Sequence, residues 1–235
     1  MKLFAGLFAA AVLALPAAAA DTPLTVVELY TSQGCSSCPP ADRLAGELSK
    51  RPDVLPLSLH VSYWDYIGWK DPFARDDHAE RQRLYSRRFN LRYVYTPQMV
   101  IDGAYQASGG NAGEIYTFIE KAKALPHVPV ALSRDDGVMV AALPEHAVDG
   151  AVEVIAVFAD DRHDTVIQRG ENGGRTLSYH NVVRGIQVIG TWKGEKAKIA
   201  VPVSDAGGDF CAVILQEPAS RRILGAARMA LAASR

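Results

Sequence analysis

The chain has 235 residues, 49% of them hydrophobic, with 25 Lys and Arg against 26 Asp and Glu and a formal charge of −1. That balance, spread without a basic block, excludes nucleic acid and an anionic membrane surface as implied partners. The length suits one large domain or two small ones, each with its own core.

Lys2 is followed by Leu3 to Leu15, almost wholly Ala, Leu, Phe and Val, and then by Ala18-Ala19-Ala20. This pattern reads as a secretory signal peptide over 1–20, cut after Ala20. The apolar run is shorter than the roughly 20 residues needed to span a bilayer, and Pro16 interrupts it. The reading is therefore a periplasmic or secreted protein with no stable membrane anchor after cleavage.

Residues 24–31 are β-branched and apolar, as in a buried strand. Gly34 marks a turn, Cys35 and Cys38 follow, and Ala41, Leu44, Ala45 and Leu48 fall at helical spacing. Pro39 and Pro40 fit only a helix's first turn, so the cysteine pair should open a helix running to about Lys50. Residues 54–62 are a second strand, and Tyr63 to Trp69 an aromatic loop. Asp71-Pro72 reads as a helix start, with Asp76, Asp77 and Glu80 early and Arg87 and Arg88 late, in the order that suits the helix dipole. Asp102-Gly103 between 98–101 and 104–107 signals a hairpin. Asn111 and Glu114 form a capping pair ahead of the stripe Ile115, Phe118, Ile119, Ala122 and Leu125.

From His127 onward, apolar runs such as 151–158 and 210–215 alternate with turns such as Asp135-Asp136-Gly137 and Asp205-Ala206-Gly207-Gly208. The expected fold is thus an α/β thioredoxin-like domain over 21–126 followed by a small all-β, sandwich-like domain over 127–235.

Three cysteines are present: Cys35, Cys38 and Cys211. Cys35 and Cys38 close too short a loop to constrain the unfolded chain much, which favours chemistry over scaffolding. A thiol attacks a disulfide as its thiolate, and a helix N-terminus favours that form through unpaired N–H groups and its positive dipole end. Cys35 is the expected nucleophile and Cys38 the resolving thiol. In thioredoxin-like proteins a proline at this point is cis and faces the cysteine pair, and that resemblance implies the same for Thr96-Pro97, just ahead of the hairpin.

The segments Glu28 to Pro40, His60 to Tyr66, Gly68 to Phe73, Tyr95 to Gln98, and Gly170 to Thr176 with Tyr179 to Val183 resemble the exported thioredoxin-like family catalogued as domain of unknown function 1223. The resemblance covers nearly all of the chain beyond residue 20. It implies a bacterial exported protein with a thioredoxin-like front half, and it supplies no substrate. The chain departs from thioredoxin proper in having Gln33-Gly34 before the first cysteine and two serines inside the pair.

Glu28, in the first strand, is a candidate to take the proton of the resolving cysteine, as a buried acid does in thioredoxins. The catalytic set is therefore Cys35, Cys38, Thr96, Pro97 and Glu28, with Trp64 and Asp65 shaping the substrate groove. No cofactor and no metal are implied. A weaker alternative places copper on Cys35, Cys38 and His60. Cys211 reads as a buried apolar residue. Glu171, Arg175, Tyr179, His180 and Asn181 surround a glycine-rich turn that could orient the two halves or dock a partner. The expected activity is thiol–disulfide exchange with protein or small-molecule thiols and disulfides. The alternatives are metal delivery or protein binding without turnover and, more weakly, peroxide reduction.

Overall fold

The computed structural model describes residues 23–203 and 207–231. The expected signal peptide and the Asp205-Ala206 part of a predicted turn lie outside the described residues. Strand β1 (Thr25–Thr31) is buried at every position and pairs in parallel with β2 (Val54–His60), equally buried. Between them runs helix α1 (Pro39–Leu48), which opens on two prolines and buries Ala41, Leu44, Ala45 and Leu48. The aromatic segment contains a short 3-10 helix at Ser62–Ile67, ended by Gly68 at φ 93°.

Helix α2 (Asp76–Arg88) begins four residues later than Asp71-Pro72 suggests. Asp71 is not its cap. It is buried, and its carboxylate accepts from the Gln33 and Phe73 N–H groups and pairs with His60. β3 (Gln98–Ile101) and β4 (Tyr105–Ser108) form the expected hairpin. Asp102 (φ 46°) and Gly103 (φ 62°) take the two left-handed conformations that such a turn requires. Helix α3 (Ala112–Lys123) is capped by Asn111, whose side chain accepts from Glu114 N and donates to the Glu114 carboxylate, and it buries Ile115, Ile119 and Ala122.

Every later element among the described residues is a strand: β5 (Ala131–Asp135), β6 (Val138–Leu143), β7 (Val152–Val166), β8 (Thr176–Trp192), β9 (Ala197–Val201), β10 (Phe210–Gln216) and β11 (Ile223–Ala230). They do not build a separate body. One eight-stranded mixed sheet runs β11-β10-β7-β8-β2-β1-β3-β4, and β5-β6-β9 form a three-stranded sheet. The fold is therefore mostly β. The expected thioredoxin-like α/β domain with a detached all-β domain is incorrect.

The reason lies in which edges and faces need cover. β2 has β1 on one side, and its other edge is taken by β8, in parallel at Ser58 and Val182. Ser58 Oγ donates to the His180 carbonyl and Asn181 Nδ2 to the Pro56 carbonyl, each at 2.7 Å. The apolar run in β7 is buried on both faces. Ile155, Val157 and Ala159 share a core with Tyr30, Leu57, Leu59 and Tyr85 of the first half. Val154, Ala156 and Phe158 pack against Met139, Ala141 and Val201 of the small sheet. A third core lies under α1 and α3, around Val27, Leu29, Met99 and Ile101. Each such side chain contributes about 1.5–3 kcal/mol by leaving water, so a core shared across β2 and β8 binds the two halves strongly.

Candidate functional site

Cys35 and Cys38 form a disulfide with Cα atoms 5.4 Å apart. They sit at the C-terminal end of β1, where the chain turns into α1. Their own surfaces are closed: Cys35 is 1% exposed and Cys38 0%, while Ser36 and Ser37 between them are exposed. Cys35 Sγ lies 3.4 Å from Ser37 Oγ.

A long hairpin from the far half of the chain closes over this loop. β7 and β8 extend well past β10 and meet in a turn around residues 167–175. There the buried Asn172 donates through Nδ2 to the Gln33 carbonyl at 3.0 Å and the Cys35 carbonyl at 2.9 Å. Arg175 donates to Asn172 Oδ1 at 2.8 Å and so fixes the direction of the amide. Glu171 accepts from Ser36 N at 3.3 Å. Gln33 is held by Thr165 and by Trp69 Nε1. The glycine-rich turn thus orients the cysteine loop itself.

The helix start differs from expectation in one respect. Pro39 and Pro40 occupy the first positions and carry no N–H, and the next two, Ala41 and Asp42, donate to the Cys38 carbonyl at 2.8 and 3.1 Å. The dipole end remains, but the unpaired amides expected to hold a thiolate are missing or used. The same prolines that locate the helix in the sequence remove its free donors.

Beneath the first turn of α1 lies a buried polar cluster. Thr31 Oγ1 donates to Asp42 Oδ1 at 2.7 Å. His60 stands beside Thr31 in the adjacent strand, and its Nδ1 is 2.6 Å from Asp71 Oδ2. The Tyr179 ring packs edge-on to His60 at 4.8 Å. Three polar atoms here have no hydrogen-bond partner among the described residues: Asp42 Oδ2, His60 Nε2 and Tyr179 Oη. Burial pushes the Asp42 carboxyl from 3.8 up to about 7, only partly opposed by His60 and Thr31. Burial disfavours the His60 cation, but the neighbouring Asp71 and Asp42 outweigh it and raise His60 above its ordinary value. For Asp71 burial is outweighed by His60 and two backbone N–H groups, and its carboxyl is lowered.

Thr96-Pro97 is cis. Gly109 lies between Pro97 and α1: a methyl group on it would stand 2.7 Å from Ala41 Cβ and 2.8 Å from Pro97 Cβ. Pro97 is therefore packed beside the first turn that follows Cys38. Trp64 Nε1 donates to Thr96 Oγ1 at 2.7 Å, and Asp65 accepts from Asp71 N at 3.2 Å, so both groove candidates act as braces of this region.

Glu28 is elsewhere. Side chains alternate along β1, so Val27, Leu29 and Thr31 face α1 while Glu28 faces α2. There it accepts from Arg81 Nε and Tyr85 Oη, each at 2.5 Å, and from Tyr30 at 3.3 Å. The structure does not bring it to the disulfide. His60 is paired with Asp71, and among the described residues no three His, Cys, Asp or Glu side chains are grouped to hold an ion. Cys211 is free and buried in β10, and burial pushes its thiol up to about 12.

The family described as "Protein of unknown function (DUF1223)" matches residues 26–216. The chain belongs to this family. The matched DUF1223 region contains the disulfide, the buried cluster and the clasping hairpin. The chain is similar to a crystallised protein of Agrobacterium tumefaciens, at 31% identity over 90% of this chain and 96% of that one, with a TM-score of 0.78. HBP35 of Porphyromonas gingivalis shares the fold at 15% identity, covering 89% of this chain and 76% of that one, with a TM-score of 0.58. Among curated proteins none matches this DUF1223 chain.

Asp42, Asn172 and the true role of Asp71 escaped the sequence reading. An acid four residues past a C-x-x-C is visible as a letter, but its burial is not. Asn172 sits in a turn, where Asn is ordinary.

Proposed function

We propose that this protein carries out thiol–disulfide exchange at Cys35–Cys38, outside the cytoplasm. The observation that carries the reading is the disulfide's setting. It closes a loop of two residues, too short to staple the fold. Yet that loop is gripped by a side chain 137 positions away and lies one helical turn from a buried carboxyl with a free oxygen. A passive cross-link has no use for either. The signal-like first residues support an oxidising compartment in which such a bond persists.

In this mechanism a partner thiolate attacks Cys35 Sγ. A bond forms between the partner sulfur and Cys35, the Cys35–Cys38 bond breaks, and its electron pair leaves on Cys38. Protonated Asp42 supplies the proton that neutralises Cys38. A second partner thiolate then attacks the partner sulfur of the mixed disulfide and releases Cys35, so two electrons pass from the partner to the pair. The reverse sequence reduces a partner disulfide. Since both sulfurs are covered, exchange requires the Asn172 grip to open.

The test is a Cys38→Ser variant incubated with a thiol-reactive disulfide pool from the exported fraction. A mixed disulfide on Cys35 that is absent from Cys35→Ser/Cys38→Ser is the expected result. No adduct on Cys35, with the variant folded and Cys35 confirmed as free thiol, overturns the reading.

A further inference from the structure

A cleft of about 500 Å³ opens between α1 and β8, beginning at Pro39 beside Cys38. Its α1 wall carries Arg43 and Lys50, and its opposite wall carries Arg162 and Arg175. Among the described residues Arg43 and Lys50 make no ion pair and no side-chain hydrogen bond. Arg175 has the neutral Asn172 amide as its partner, and Arg162 is paired with Asp164. Glu47 and Asp42 are the acids in the lining. Over the lining as a whole four cations stand against two acids; Asp42 and Glu47 both lie on the α1 side, so the excess of positive charge is carried by the opposite wall, across a gap of small-molecule size.

The floor adds a second observation. Asp42 is 4% exposed, lines this cleft, and leaves Oδ2 without a partner. That oxygen is closed to solvent, so a ligand in the cleft reaches it only when the floor opens. Protonated, it donates to a carboxylate. Gly46 lets the His180 ring lie against α1, since a Cβ there would stand 2.6 Å from the ring. Burial, with Arg162 and Lys50, holds that imidazole below its ordinary value, so the ring is a neutral surface between the cationic walls.

We propose that this cleft binds a small molecule carrying at least two carboxylates, one met by Arg43 and Lys50 and the other by Arg162 and Arg175. The Arg43 guanidinium on one side and those of Arg162 and Arg175 on the other favour a planar carboxylate at each end, and Lys50 adds a point charge. Free dicarboxylic acids and carboxylate-bearing small disulfides share this chemistry, and the experiment separates them. The proposal goes beyond the exchange reaction and needs no turnover.

The test is calorimetric titration of the oxidised full chain with glutarate, glutathione disulfide, inorganic phosphate and neutral bis(2-hydroxyethyl) disulfide. Glutarate or glutathione disulfide is expected to bind, with the neutral disulfide inert. Binding is expected to weaken at least tenfold in Arg43→Ala/Lys50→Ala and in Arg162→Ala, all at unchanged melting temperature. Binding of both carboxylates supports a general dicarboxylate site, and binding of glutathione disulfide alone supports a disulfide ligand. Binding of neither, equal affinity for phosphate, or binding undiminished in both variants overturns the proposal. No exchange between the reduced wild-type chain and the neutral disulfide, in a separate assay, counts against the redox reading alone.

Discussion

A carboxyl with one oxygen unpartnered in a dry interior costs stability, and Asp42 carries that cost at every pH where it is ionised. His60 and Asp71 face it from β2 and the loop beyond, Tyr179 from β8, and Arg43 from its own helix. Its folded value, about 7, lies above the unfolded 3.8, so the folded state binds the proton more tightly. The stabilisation is complete below about pH 4 and is lost as pH rises through about 7, an amount of a few kcal/mol. Urea titrations of Asp42→Asn across that window should show the wild-type decline between pH 4 and pH 7 largely abolished. If Asp42 also supplies the proton, the variant's disulfide should be reduced about 10²-fold more slowly, and the inflection near pH 7 in the rate profile should disappear. Glu28 offers the contrast. Glu28→Gln leaves Arg81 buried without its counter-charge, at a cost of about 3–5 kcal/mol. Disulfide reduction in the molecules that remain folded should proceed at the wild-type rate, measured under conditions where circular dichroism shows native structure.

Among the elements, the β7–β8 hairpin carries the grip on the cysteine loop. Asn172→Ala removes two hydrogen bonds to the cysteine loop, taking the side-chain donor from the Gln33 carbonyl and leaving the Cys35 carbonyl only the Cys38 N–H, at a cost of about 1–3 kcal/mol. Reduction by neutral dithiothreitol, followed by thiol labelling of the native protein, should be faster than in wild type. Helix α1 sets the thiolate's stability. Pro40→Ala returns an N–H to its first turn, so the Cys35 thiol of the reduced variant should titrate lower than in wild type by direct ultraviolet thiolate absorbance. Local features of these elements were readable in the chain. The prolines mark the start of α1, Asp102-Gly103 the hairpin, and Asn111 with Glu114 the cap of α3, because each acts within a few residues. Asp71 misled for the same reason: Asp-Pro is a local helix signal, while the buried His60 that claims Asp71 lies back at the end of β2. The grip of Asn172 on Cys35 depends on β7 and β8 reaching across the molecule, which no local pattern encodes.

At the scale of the whole molecule, the strand that decides the architecture is β8. The apolar runs in β7 and β10 identify strands, yet an apolar run does not say which sheet it joins. Composition suggested two bodies where a shared core, with Tyr30 and Leu57 against Ile155 and Val157, makes one sheet. Unfolding should follow suit. In single-tryptophan variants, Trp64 in the first half and Trp192 in the second should report the same urea midpoint, since neither half keeps its core alone. Two separated transitions would show that the sheet is not the cooperative unit.

The account turns on the Cys35–Cys38 bond being a working centre within a fold that survives its opening. The direct measurement is a redox titration of the native protein against glutathione and its disulfide, with thiols counted by mass after alkylation and the fold followed by circular dichroism. Complete, reversible two-electron reduction with the far-ultraviolet spectrum unchanged is the predicted result. A bond that stays oxidised until the protein unfolds would contradict the account and make the disulfide part of the architecture alone.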